Sequence, residues 1–178
     1  MTRPDAIAID VHAHAIIPGV DDFVAREEPH LTAAHLELEA RRQGEDSAAV
    51  SRAMILDRLP RLLDLELRIA DMDAARVAKQ LVSPSPSHYY PFTGYATSAT
   101  SARMVNEGIR DLVARRPERL SGLGVAPIQH PEVALMALEH AVTECGLAGV
   151  EIPSTAGDVE LSDERLEPFW ARAAELEA

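Results

Sequence analysis

The chain has 178 residues, 47% of them hydrophobic, and a formal net charge of −12 from 29 acidic against 17 basic side chains. That is one domain's length with enough apolar content for a core, and no run approaches the ~20 apolar residues of a membrane span. The acidic balance argues against nucleic acid, whose binding depends on cations that neutralise phosphates. The segment MTRPDAIAID has no basic stretch followed by an apolar core, so no secretory leader is expected. Cys145 is the only cysteine, which rules out an intramolecular disulfide and makes the cytoplasm the simplest compartment.

The first element is a strand over Ile7 to Val11. A period of two puts His12 and His14 on one face with Asp10 below them, and Ile9, Val11 and Ala13 on the other. Pro18 and Gly19 follow, so the histidine pair sits where a strand becomes a loop, placed to share one metal ion. From Asp21 to about Ser51 no clean periodicity is visible, and residues from about 20 to 55 read as an excursion from the main fold. Leu59, Leu62, Leu65, Ile69 and Met72 then recur at helical spacing. Val77 to Ser83 is a second strand, stopped by SPSPS.

The loop that follows carries His88, Tyr89, Tyr90, Phe92 and Tyr95. A helix with Val105, Ile109, Leu112 and Val113 as its apolar stripe ends before Pro117. Leu120 to Pro127 is a third strand, and a helix runs from Pro131 to Gly146, a natural terminator. Leu147 to Pro153 is a fourth strand. Pro168 opens a last helix with Leu166, Phe169, Trp170, Ala173 and Leu176 as its buried stripe. Strand and helix thus alternate four times with no hairpin signal, which implies parallel strands joined by right-handed crossovers. An open doubly wound sheet and part of a (β/α)8 barrel both fit. The open sheet favours a Gly-rich loop after its first strand, whereas a barrel places chemistry at strand C-termini, where His12 and His14 fall.

With these segments in this order, the chain resembles the amidohydrolase superfamily, in its decarboxylase-like branch typified by aminocarboxymuconate-semialdehyde decarboxylase. The resemblance rests on IDVHAHAIIP (9–18), RIADMDAARVAKQLVSPSP (68–86), residues 104–141 and residues 147–176. It implies a (β/α)8 TIM-type barrel of which this chain holds about the first four βα units. It also implies one divalent metal, zinc by expectation, with His12 and His14 as its first two ligands. The family's other ligands, a histidine ending strand five and an aspartate ending strand eight, fall beyond Ala178, as do the expected catalytic groups. Residues 1–178 are therefore read as the N-terminal part of such a barrel. Two histidines leave half of a zinc coordination sphere unfilled by protein.

The implied chemistry is decarboxylation of a small unsaturated or aromatic carboxylic acid, with hydrolysis of a lactone, ester or amide as the alternative on the same barrel. A histidine-rich phosphoesterase would need a further metal motif soon after the first strand, and none is seen. From another class, the chain would be a non-catalytic half-barrel that serves as an assembly module. The partners expected are a small-molecule carboxylate and further copies of the chain, with neither nucleic acid nor membrane.

Among the remaining candidates, Asp10 is read as supporting a ligating histidine through its Nδ1 proton, or as satisfying local backbone donors. His88, Phe92 and Glu151 are read as lining the substrate path, and Arg52 or Arg58 as a fork for a carboxylate. Glu151 also stands where some relatives have a metal-bridging carboxylated lysine, which argues against a binuclear centre. His30, His35, His130 and His140 read as surface or packing residues, and Cys145 as packing near a helix end.

Overall fold

The computed structural model describes residues 7–178. The leader reading of Met1 to Ala6 lies outside those residues. Strand β1 (Ala8–Ala15) is followed by four helices, α1 (Val20–Glu27), α2 (Pro29–Gln43), α3 (Glu45–Leu63) and α4 (Leu65–Ala74). Then come β2 (Val77–Pro84), α5 (Tyr95–Ala114), β3 (Leu120–Gly122), β4 (Gly124–Val125), α6 (Pro131–Glu139) and β5 (Val150–Glu151). A small hairpin, β6 (Thr155–Ala156) and β7 (Val159–Glu160), precedes α7 (Glu167–Leu176). The strands run in the order β1-β2-β3 in one sheet and β4-β5 in a second, and all of these pairings are parallel. Four βα units are therefore present, the first carrying four helices in place of one.

The excursion differs most from the expectation. Residues 20 to 55 are helical, but α2 buries none of its residues. Its helix is supported locally, by Glu37–Arg41 and Glu39–Arg42 pairs at 3.0 and 3.1 Å. Its leucines, Leu31, Leu36 and Leu38, are all exposed, so the helix has no buried stripe to read. The single helix expected across Leu59 to Met72 is broken at Asp64, whose Oδ1 caps α4 by accepting from the amides of Glu66 (2.8 Å) and Leu67 (3.2 Å).

The expected third strand is interrupted at Leu123. Its first part pairs with β2 and its second with β5, while the Leu123 amide donates to Val82 O at 2.8 Å. The fourth strand shrinks to Val150–Glu151. The helix expected to end at Gly146 does so, with Gly146 at φ +66°, after a widened π turn over His140–Glu144. The β6–β7 hairpin, turning at Gly157 (φ +63°), was not expected from the sequence. Trp170 is 37% exposed, not buried, and donates to Leu161 O, while Phe169 fills the core position beside it.

Two apolar clusters lie between the strands and helices. One joins Ala15, Leu65, Met72, Val82, Ile109 and Leu120 under α4 and α5. The other gathers Val20, Val105, Val125, Ile128, Leu138 and Phe169. Asn106, wholly buried in α5, ties the layers. Its Oδ1 accepts from Val125 N at 2.7 Å, and its Nδ2 donates to Val125 O and Ala137 O, both at 3.3 Å. Among the described residues β1 has a neighbour on one side only, and Ile9 and Val11 along it are exposed. Among the described residues no helix is long and apolar enough to cross a membrane.

Candidate metal centre

His12 and His14 stand together near the C-terminal end of β1, with ring centroids 4.9 Å apart and planes at 78°. Two imidazoles on one tetrahedral ion, with nitrogen–metal distances of about 2.0–2.1 Å, have centroids about 5 Å apart. The pair is already spaced for that. His14 Nδ1 lies 3.1 Å from Pro84 O and 3.0 Å from Ser83 Oγ. A carbonyl can only accept, so Nδ1 carries the proton in the neutral ring and Nε2 is left with its lone pair. A backbone carbonyl at the second nitrogen is how ligating histidines are commonly oriented.

Strict alternation breaks between Asp10 and the histidines, although all three line one cavity. The β1–β2 register shifts between Asp10 and Ala13, so Asp10 pairs with Gln80 and His14 with Ser83. Gln80 and Ser83 are three apart on a strand and point to opposite faces. Asp10 Oδ2 accordingly accepts from Gln80 Nε2 at 2.9 Å, and Oδ1 accepts from the His12 amide at 3.1 Å. Arg68, buried in α4, completes this network by donating to Gln80 Oε1 (3.1 Å) and His14 O (2.6 Å). Burial lowers its pKa and the Asp10 carboxylate opposes that, so the pair keeps an otherwise costly cation charged.

A cavity of about 240 Å³ beside the histidines is lined by Asp10, His12, His14, Arg58, Arg61 and Arg68, among others. Arg61 is engaged by Asp71 at 2.6 Å. Arg58 has no ion-pair partner among the described residues. Arg52 does not line this cavity. Among the described residues no third histidine, cysteine or carboxylate joins the pair to form a three-ligand cluster.

The three residues expected along the substrate path are not brought to this pair. His88 is 1% exposed, and both of its ring nitrogens are taken. Nε2 accepts from Ile17 N at 2.9 Å, and Nδ1 meets Tyr90 OH at 3.0 Å, whose proton goes to Asp21 Oδ1 at 2.5 Å. Phe92 stacks on His35 at 4.4 Å in a separate cavity. Glu151 is half-buried, with Oε2 buried and unpartnered. Burial, and then the Glu151 carboxylate, hold the Tyr89 phenol well above its ordinary pKa. Sequence reading missed Ser83, Pro84, Gln80 and Arg68 at the centre. Their only signal was the strand ending in Ser-Pro.

The chain belongs to the amidohydrolase family, whose sequence profile matches residues 9–178. It is 28% identical over 115 residues to the 2-amino-3-carboxymuconate-6-semialdehyde decarboxylase of Dictyostelium discoideum, covering 65% of this chain and 32% of that protein. It is 26% identical over 143 residues to the gamma-resorcylate decarboxylase of Rhodococcus jostii, covering 74% of this chain and 44% of that one. The crystal structure of 5-carboxyvanillate decarboxylase from Novosphingobium aromaticivorans, complexed with manganese and 4-hydroxy-3-methoxy-5-nitrobenzoic acid, superposes with a TM-score of 0.75 at 23% identity. That superposition covers 98% of this chain and 49% of the crystallised one. The chain thus spans half or less of the length of these relatives, and its fold is about half of their (β/α)8 barrel.

Proposed function

We propose that this chain is the metal-binding N-terminal part of a carboxy-lyase that removes carbon dioxide from a small aromatic or unsaturated carboxylic acid. The observation that carries the reading is His14, whose Nδ1 proton is held by Pro84 O so that Nε2 stays free beside the His12 ring. His12 and His14 would hold one divalent ion, zinc by the donor set of two imidazoles, although the crystallised relative contains manganese. Such an ion supplies a Lewis acid against negative charge on substrate oxygens. Arg58, unpaired on the wall of the same cavity, is suited to fork a carboxylate. Arg68 and Asp10 hold the β1 backbone on either side of His12 and thereby set where both rings stand.

The reading includes a cytoplasmic setting, consistent with the single cysteine, and self-association, supported by exposed Ile9 and Val11 along β1. Calorimetric titration of Zn2+ and of Mn2+ into this chain and into His12→Ala/His14→Ala tests the metal role. Binding that vanishes in the double variant is expected, and equal binding in both proteins overturns it. Carbon dioxide release from 2,6-dihydroxybenzoate by the metal-loaded full-length enzyme, of which this chain is read as the N-terminal part, tests the lyase. Ester or lactone hydrolysis without that release replaces it with the hydrolase. Sedimentation equilibrium of the 178-residue chain reads self-association as a mass above 19.3 kDa.

A further inference from the structure

The cavity beside His12 and His14 is walled by charges of both signs in unequal number. Helix α3 presents Arg58 and Arg61, three apart and so neighbours on one helix face, and α4 presents Arg68 and Asp71 at the same spacing. Asp10 on β1 completes the charged wall. Two of the three arginines are matched within it. Arg61 Nε donates to Asp71 Oδ2 at 2.6 Å. Arg68, 8% exposed, is linked to Asp10 through Gln80, whose Oε1 accepts from Arg68 Nη1 at 3.1 Å and whose Nε2 donates to Asp10 Oδ2 at 2.9 Å. Arg58 alone has no ion-pair partner among the described residues. The arginines and aspartates of the wall therefore leave one net positive charge, and it sits at Arg58.

The docking of α3 on α4 accounts for an ion pair between these helices. It does not account for where the pair stands. Asp71 lies on the cavity wall and occupies the one cation that shares a helix face with Arg58.

We infer that Asp71 is a specificity-determining residue that acts through Arg61 and restricts this cavity to small acids bearing a single carboxylate. The inference rests on the reading of Arg58 as the carboxylate fork and adds to it which acids that fork admits. A monocarboxylate on Arg58 balances the wall. A second carboxylate on the same ring must either take Arg61 from Asp71 or stand unpaired beside it, and each arrangement leaves one negative charge in excess. A divalent ion on the histidines acts on the oxygens it binds, whichever acid carries them, so the arginine wall still distinguishes one carboxylate from two. The volume, about 240 Å³, also favours a small ligand, since small-molecule sites usually span about 300–1,000 Å³.

The test titrates benzoate and isophthalate, one carboxylate against two on the same ring, into the ¹⁵N-labelled chain at pH 7.5 and low salt, without metal and with Zn2+, and follows amide shifts. Isophthalate is expected to bind no better than benzoate beyond the statistical advantage of its two equivalent carboxylates. Asp71→Asn should move the ratio of affinities about fivefold toward isophthalate, the worth of one partly exposed charge. Asp71→Glu should return the ratio to its wild-type value, and a merely structural Asp71 would leave the ratio unmoved in both variants. Arg58→Gln should weaken both acids. A clear wild-type preference for isophthalate, or a ratio unmoved by Asp71→Asn, overturns the inference and leaves the fork standing. Binding indifferent to Arg58→Gln, or no saturable shift with either acid, overturns the fork and the inference with it.

Discussion

Replacing His88 by phenylalanine separates a structural imidazole from a chemical one. The native ring accepts from Ile17 N through Nε2 and, through Nδ1–H, donates toward Tyr90 OH, which itself donates to Asp21. Only the neutral ring protonated at Nδ1 fits both contacts, because a proton on Nε2 would face the Ile17 N–H. Burial therefore pushes the His88 pKa below its ordinary 6.5, and the Asp21 carboxylate offsets part of that. Phenylalanine keeps the volume and leaves Tyr90 its acceptor, but strands one partly buried N–H at a cost of about 1–2 kcal/mol at pH 8. With a urea slope of roughly 2 kcal/mol/M, the midpoint falls by about 0.5–1 M. A depressed folded pKa contributes stability that is complete above pH 6.5 and lost as pH falls toward the folded value. Over that window the wild type loses up to about 1.4 kcal/mol per pH unit, a loss the variant does not share. Urea midpoints of both proteins between pH 8 and 5 should therefore converge as the pH falls. A gap that stays constant over that range, or none at pH 8, refutes the assignment.

Asn106 and Gly124 should be coupled, because a Cβ on Gly124 would stand 2.5 Å from Asn106 Oδ1. Asn106→Ala strands the buried Val125 N–H and should cost about 2–4 kcal/mol, and Gly124→Ala alone about 1–3 kcal/mol. The double variant, measured by urea unfolding, should cost at least ~1 kcal/mol less than the sum, because the new methyl enters the space left by the carboxamide. Arg68→Met should destabilise by about 3 kcal/mol, since His14 O and Gln80 Oε1 each lose a charge-assisted bond. The same variant should weaken metal binding in the calorimetric titration, and unchanged affinity would show that Arg68 does not set the histidines.

The histidine pair was legible because its signal is local: two ligand-type residues two apart at a strand end. The turn of Asp10 toward Gln80 was not, since it arises from a register shift against β2 that β1 alone does not encode. The stacking of His35 on Phe92 likewise joins segments far apart in the chain, and no spacing rule connects them. The helices of the excursion were hidden for a different reason. α2 is held by local propensity and surface ion pairs and has no buried residue to impose a period, and α1 buries only Val20 and Val24. The β6–β7 hairpin did leave a trace in Gly157-Asp158, a two-residue loop pattern, but strands of two residues are too short for alternation to show.

The four helices between β1 and β2 line both the cavity beside the histidines and the separate one around Phe92. The first two, α1 and α2, supply Asp21, Asp22, Thr32 and His35 to the Phe92 cavity, while α3 and α4 supply Arg58, Arg61 and Arg68 to the other. The second pair is tied to the main chain at the end of β1 at two points, Ile16 N, just past the strand, to Leu62 O at 3.3 Å and Arg68 to His14 O at 2.6 Å. The arginines and the paired histidines are consequently held on one framework, with bonds to β1 that do not depend on the exposed outer faces of α2 and α3. Sequence change on those outer faces costs little. Change at Leu62, Asp64 or Arg68 is expected to move the cation cluster and the imidazoles together, because the α3–α4 junction carries both of these links.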